Sequence, residues 1–202
     1  MPPSVLIVAS TRAYADTREI LRIQDTAAAL LAEGCAVDLL TPRLSPLFRS
    51  VLSSAVRVFT VPQLVPFMND PPARPSFRRF LVGVLMFLRG VALVSRRDYG
   101  VLHGVNDGAS VARAISGFAK AGKIPFVVEM HHPVSRHALR RAAAIILPDE
   151  QTFERLRRRI PKARVTVIPD PHVELVPDAF TFGEFAQALA HVYAYVQCPK
   201  ER

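Results

Sequence analysis

The sequence predicts an α/β fold in which one parallel sheet carries helices on both faces. Three observations predict it. Short continuous apolar runs such as Val5–Ala9 read as strands buried on both sides, and Pro125–Met130 reads as another strand. Segments of helical period separate these runs. Polar residues gather where the runs end, at Ser10, Thr41, His103 and His131.

Taken in order, Val5–Ala9 is the first strand, and Arg18–Glu33 is a helix with an apolar stripe at Ile20, Ile23, Ala27, Leu30 and Leu31. Gly34 supplies the left-handed cap of that helix. Ala36–Leu40 and Val56–Val61 are strands, Phe77–Val94 an apolar helix, and Gly100–His103 the next strand. Asn106 or Asp107 can cap a helix carrying Val111, Ile115 and Phe118, which Gly122 ends. Strands follow at Pro125–Met130, Ala143–Leu147 and Arg164–Ile168, and Asp149 caps a helix reaching Arg159.

The proline-rich stretch Val61–Ser76 favours an extended or turned loop. Three prolines within Val167–Pro177 mark a boundary. Beyond it, Thr181 and Glu184 form a capping box, and Phe180 can staple to Phe185. The helix they open presents Phe182, Phe185, Leu189, Val192, Tyr193 and Val196 on one face, which needs a cover. The expected organisation is a sheet domain over residues 1–170, a linker over 171–180 and a returning helix over 181–197.

With 202 residues, half of them hydrophobic, the chain can bury one good core. The net charge of +9 rests on 22 Arg against 4 Lys and favours anionic partners. Cys35 and Cys198 are isolated thiols, which suits a reducing compartment, and the N-terminus lacks the basic region of a signal peptide. The expected location is the cytoplasm. Phe80–Leu88 is an apolar run of nine residues ended by Arg89, too short to span a bilayer. The arginines around it, Arg74, Arg78, Arg79, Arg89, Arg96 and Arg97, also suit a helix lying on an anionic membrane surface, peripheral to the inner face of the membrane. Nucleic acid is not an expected partner: RLRRR at 155–159 complements a helix C-terminus, and few aromatics accompany it.

In a parallel doubly wound sheet, ligands bind beyond the carboxyl ends of the strands. That edge would carry Ser10–Asp16, Thr41, His103–Asp107, Glu129–His132, and Asp149 with Glu150. Glu129 lies inside its strand, so it either faces the cleft or is a buried charge that needs a partner. His131 and His132 are neighbours in extended chain and would point to opposite sides. HHPVSRH brings three imidazoles without a cysteine or carboxylate at ligand spacing, so no metal site is expected.

The segments PSVLIVAS, DTREILRIQDTAAALLAEGCAVDLLTP, RRDYGVLHGVNDGASVARA, IPFVVEMHHP, AAAIILPDEQTFERL and RVTVIPDP occur in one order. In that order the chain resembles the N-terminal domain of glycosyltransferase family 4-like enzymes, over about residues 4 to 171. The resemblance implies a Rossmann-like doubly wound sheet, the N-terminal half of the B-type glycosyltransferase architecture. It also implies a nucleotide-sugar donor as substrate, no further cofactor, and a glycan or lipid-linked acceptor.

The resemblance further implies site residues. His131 matches a histidine that lines the cleft and contacts the donor sugar, and His132 stands where an acidic residue is more usual. His103 matches a histidine at a strand end, with Asn106 and Asp107 following, and Asp16 with Arg18 resembles a variant of the first loop. Glu129 would orient an acceptor hydroxyl or His131, and Arg18 would meet an anionic acceptor. The expected catalytic residues are therefore His131 and Glu129, and the substrate-binding ones Asp16, Arg18, His103, Asn106, Asp107 and His132.

Departures from the family pattern carry equal weight. The paired glutamates of the family's donor domain have no counterpart here, and Asp170-Pro171 replaces its usual Asn-Gly linker. VPDAFTFGEFAQALAHVYAYV resembles the family's last helix, which crosses back onto the first domain. The chain thus resembles an acceptor-side half that needs a separate donor-binding partner, retaining in stereochemistry if it follows the family. A glycan- or lipid-binding scaffold that lost the chemistry is the alternative. A dinucleotide-binding domain ranks last, because VASTRAYAD lacks the glycine fingerprint.

Overall fold

The computed structural model describes residues 3–9, 17–42, 49–50, 52–61, 75–106, 109–130, 139–156, 164–169 and 181–197. Seven strands form one parallel sheet: β1 (Ser4–Ala9), β2 (Ala36–Thr41), β3 (Arg57–Thr60), β4 (Val101–Asn106), β5 (Phe126–Met130), β6 (Ala144–Leu147) and β7 (Arg164–Val167). The helices are α1 (Thr17–Ala32), α2 (Pro75–Val94), α3 (Ala109–Gly122), α4 (Glu150–Leu156) and α5 (Phe182–Gln197). The spatial order β3-β2-β1-β4-β5-β6-β7 reverses direction between β1 and β4. This is the doubly wound arrangement expected from the alternation of the sequence.

Alternation along each strand divides the core into two layers. Val5, Ile7, Val37, Leu39, Val101, Val105, Val127 and Ile146 face α1 and α5. Leu6, Val8, Leu40, Leu102, Val128, Met130, Ile145 and Leu147 face α2 and α3. The central strands are buried on both faces, which is why their sequences are predominantly apolar, with Asp38, His103 and Glu129 as buried polar exceptions.

Local chemistry sets the ends of the helices. Gly34, at φ 77°, closes α1: its N–H donates to the Leu31 carbonyl at 3.0 Å and the Cys35 N–H donates to Leu30 at 2.9 Å. α3 ends at Gly122 as expected, and the left-handed residue that follows it is Lys123, at φ 53°. The Ile124 N–H reaches back to the Ala119 carbonyl at 3.0 Å, so the cap lies one residue further on. Asp149 caps α4 as expected, accepting the Thr152 N–H at 2.5 Å. The helix is described to Leu156, and the remainder of the stretch to Arg159 lies outside the described residues.

The C-terminal helix packs back on the sheet. Its capping box is formed: the Thr181 N–H donates to Glu184 Oε2 at 2.7 Å and the Glu184 N–H donates to Thr181 Oγ1 at 3.2 Å. Phe185, Ala186, Leu189, Val192, Tyr193 and Val196 are buried, each large apolar side chain contributing about 1.5–3 kcal/mol. Phe182, expected on that face, is 43 % exposed and lies beside the Phe185 ring at 6.4 Å. Phe180 and the expected linker 171–180 lie outside the described residues.

Candidate functional site

The carboxyl ends of β1 and β4 flank the point where the strand order reverses, with Ala9 paired to Val105. There α1 follows β1 onto one face of the sheet and α3 follows β4 onto the other, the topology that marks a ligand-binding switch point in a doubly wound sheet. One strand further on, β4 and β5 end together at the register pair Asn106 and Met130. Of the expected site residues, Arg18 lies in the first turn of α1 and Asn106 is the last residue of β4. Both backbones therefore reach this edge. The side chains of Arg18 and Asn106, and the whole of Asp16, Asp107, His131 and His132, lie outside the described residues.

Glu129 and His103 take a different course from the one expected of cleft residues. β4 continues three residues past His103, placing this histidine within the strand rather than at its end. Both are odd-numbered positions on the face covered by α1 and α5, and neither is exposed to solvent. Glu129 is thus the buried charge of the two options its strand position allows. The reason is pleat parity: the side chain next to Met130 must point opposite to it, and that side is roofed by helices.

Arg22 of α1 is the partner. Its Nε donates to Glu129 Oε1, Nη1 donates to the Pro169 carbonyl at 3.0 Å and Nη2 to the Ile168 carbonyl at 3.2 Å. The guanidinium also stacks 4.4 Å above the Phe185 ring of α5. Glu129 Oε2 lies 3.3 Å from His103 Nε2, and His103 Nδ1 is hydrogen-bonded to the Tyr193 hydroxyl of α5. Burial, and then the charge of Glu129, push the Tyr193 phenol well above its ordinary pKa. One buried cluster thus joins α1, β4, β5, α5 and the chain leaving β7.

Burying an ion costs several kcal/mol, and a good pair offsets much of that cost without adding a large surplus. The cluster therefore fixes geometry: it holds the end of β5 and the start of the segment after β7 against the returning helix. Glu129 touches protein groups, so any part it takes in chemistry is that of positioning the chain beyond Met130.

Sequence reasoning missed Arg22 and the polar part of Tyr193. Arg22 lies beside Ile23 in a helix whose apolar stripe was legible, but α1 is buried over a wider arc than one stripe. It is covered by the sheet on one side and by α5 on the other, and the partners of Arg22 lie 107 and 146–147 residues away in sequence.

A second buried charge, Asp38 of β2, was also missed. It accepts from Arg57 Nε at 2.8 Å, from Arg97 Nη1 at 3.3 Å and from the Tyr99 hydroxyl at 2.6 Å. It ties β3 and the turn after α2 to the sheet, on the face away from α1. Burial and the hydrogen bond to Asp38 push Tyr99 far up. Cys35 is a free, buried thiol whose pKa is raised by burial, and then by Glu33. Among the described residues no three of His, Cys, Asp and Glu are grouped to hold a metal ion.

No curated protein sequence matches the chain. In structure it is similar to MurG of Acinetobacter baumannii, with a TM-score of 0.58 at 13 % identity, covering 86 % of this chain and 47 % of that one. It is also similar to UGT2 of Phytolacca americana, solved with UDP-2-fluoroglucose and pterostilbene, with a TM-score of 0.57 at 11 % identity, covering 84 % of this chain and 54 % of that one. LpCGTa, solved in complex with UDP, gives 0.59 at 13 % identity, covering 86 % and 55 %. The chain thus spans about half the length of the solved structures it matches. The seven-stranded parallel sheet has the Rossmann-like architecture of these B-type glycosyltransferases. The sequence profile of Glycosyltransferase Family 4 matches residues 22–171, well over half of the chain, and the chain belongs to that family.

Proposed function

We propose that the chain is the acceptor-side domain of a glycosyltransferase, moving a sugar from a nucleotide-sugar donor to a glycan or lipid-linked acceptor together with a donor-binding domain carried on a separate chain. The observation that carries this reading is the docked α5. A helix that resembles the family's returning helix is packed by six buried residues against a family 4 sheet, and its cluster with Arg22 also grips the chain leaving β7. The outgoing and returning ends are held together, as a shared anchor for a second domain would require.

In such a transfer positive charge develops on the sugar ring, and the acceptor domain gains most by holding the attacking hydroxyl in line and stabilising that charge. His131 would contact the sugar, Asn106, Asp107 and His132 would orient hydroxyls, and Asp16 with Arg18 would meet the acceptor. Glu129 and His103 would act through the protein, by fixing the ends of β4 and β5. Stereochemistry would be retaining. A cytoplasmic location, with peripheral contact to the inner membrane face, belongs to the same reading and is supported by the free thiol of Cys35. No helix among the described residues is long and apolar enough to cross a membrane.

The test supplies nucleotide-sugars and candidate acceptors with and without a donor-domain protein encoded nearby. Transfer that needs both chains and is lost in His131→Ala supports the proposal. Transfer by the purified chain alone at an ordinary rate would remove the need for a partner. A second reading, a glycan- or lipid-binding scaffold, is favoured by one observation: two of the expected site side chains, Glu129 and His103, are sealed inside the core. Inactivity with every partner, with glycan binding retained, would select it.

A further inference from the structure

The C-terminal half of α2 lies beside the edge strand β3 and turns a row of arginines toward it. Arg89, Ala92 and Leu93 share one side of the helix. Arg96 and Arg97 continue that row, because their N–H groups still bond the Leu93 carbonyl, at 3.1 and 3.0 Å. With Phe59 of β3, these five residues line a depression of about 330 Å³, within the range of small-molecule sites. The guanidiniums of Arg89 and Arg97 lie over the same Phe59 ring, 6.0 and 5.0 Å from its centre. Ala92 and Leu93 make the rest of the lining apolar.

The charges in this groove are not balanced. Asp38, 1 % exposed, accepts from Arg97 Nη1 at 3.3 Å, from Arg57 Nε at 2.8 Å and from the Tyr99 hydroxyl at 2.6 Å. Among the described residues Arg89 and Arg96 pair with no carboxylate, and Asp98, exposed beside Arg97, pairs with none of the four arginines. The end of α2 adds about half a negative charge, which a single arginine already offsets. A concavity lined by one sign of charge concentrates counter-ions. Arg97 is also held from behind by the buried Asp38, so its position is set before any ligand arrives.

We propose that this groove binds a small soluble ligand bearing a pyrophosphoryl group, with Arg89, Arg96 and Arg97 donating to its oxygens. The planar fork of arginine matches phosphoryl oxygens, and several forks on one concave spot select a compact anion with two or more charges. A bilayer presents singly charged phosphodiesters on a flat layer that does not follow the depression. The groove flanks β3, two strands from the β1–β4 switch point, so a ligand here leaves the candidate crevice open. The inference stands apart from the transferase reading.

The experiment is calorimetric titration of the full chain with sodium pyrophosphate at low salt. It uses no sugar donor or acceptor, so its failure and that of the transferase reading are separable. Saturable binding is expected, weakening as salt rises. Arg89→Ala with Arg96→Ala should raise the Kd at least about tenfold through the lost charge-assisted hydrogen bonds. Arg89→Lys with Arg96→Lys keeps the charge without the forks and should restore only part of the affinity. Arg140→Ala with Arg141→Ala removes two exposed arginines from the turn before β6 and should leave the Kd unchanged. All four side chains are exposed, so melting without pyrophosphate should be unaltered in every variant. No saturable binding at low salt, equal weakening by the Arg140 and Arg141 pair, or full affinity in Arg89→Ala with Arg96→Ala would each overturn the proposal. So would binding confined to phosphatidylglycerol vesicles, which would assign these arginines to a lipid surface.

Discussion

The guanidinium of Arg22 lies 4.4 Å above the ring of Phe185, joining the first helix of the chain to the last across the buried face of the sheet. The same group donates to Glu129 and to the carbonyls of Ile168 and Pro169, so α1, β5, α5 and the exit from β7 are bound as one unit.

Arg22→Met should destabilise the fold by about 3–5 kcal/mol, because the Glu129 carboxylate stays buried without its guanidinium. Arg22→Met combined with Glu129→Leu should cost clearly less than the sum of the two single changes, since the double variant removes both charges. Urea denaturation of the four proteins closes the cycle, and strict additivity would mean that the pair is not coupled.

Alkaline pH should unfold the protein through its tyrosines. Tyr193 and Tyr99 both have raised pKa values, Tyr193 chiefly from burial and Tyr99 from burial with Asp38 beside it. Folding therefore favours the neutral phenol. That contribution is complete below the ordinary phenol pKa of about 10, is eroded as the pH rises above it and is lost once the pH has passed the raised folded values. Tyr193→Phe should flatten this slope while costing about 1–2 kcal/mol at neutral pH from the lost His103 hydrogen bond. Denaturation midpoints from pH 7 to 11 measure both effects.

At the C-terminus of α3, Lys123 sits at φ 53°, where a side chain is strained. Lys123→Gly should stabilise the protein by about 0.5–1 kcal/mol, the relief of strain exceeding the added freedom of the unfolded chain. A rise in melting temperature checks it, and a fall would mean that the lysine side chain contributes more than its backbone costs.

Gly90 of α2 meets α3 face to face: an added Cβ would lie 2.5 to 2.9 Å from the Phe118 ring. Gly90→Ala should cost about 1–3 kcal/mol through overpacking, in spite of the better helix propensity of alanine. Gly90→Ala with Phe118→Leu should recover part of the loss. A neutral Gly90→Ala would show that the two helices can separate freely, and chemical denaturation distinguishes these outcomes.

The elements were legible because their causes are local. Gly34 ends α1, Asp149 starts α4, Thr181 and Glu184 open α5, and the doubly buried strands show as apolar runs in β1 and β6. The sequence by itself therefore determined the alternating α/β pattern, and with it the strand-end edge at which Arg18 and Asn106 lie. Only the tertiary structure decided how the charges pair. Glu129 and Met130 are adjacent in sequence yet face opposite layers, and the layer Glu129 faces contains a guanidinium from 107 residues earlier. Buried ions are satisfied by groups that the sheet topology brings together, and no periodicity records that pairing. Asp38 was invisible for the same reason, because its partners Arg57, Arg97 and Tyr99 are gathered by the β2–β3 pairing and by the turn after α2.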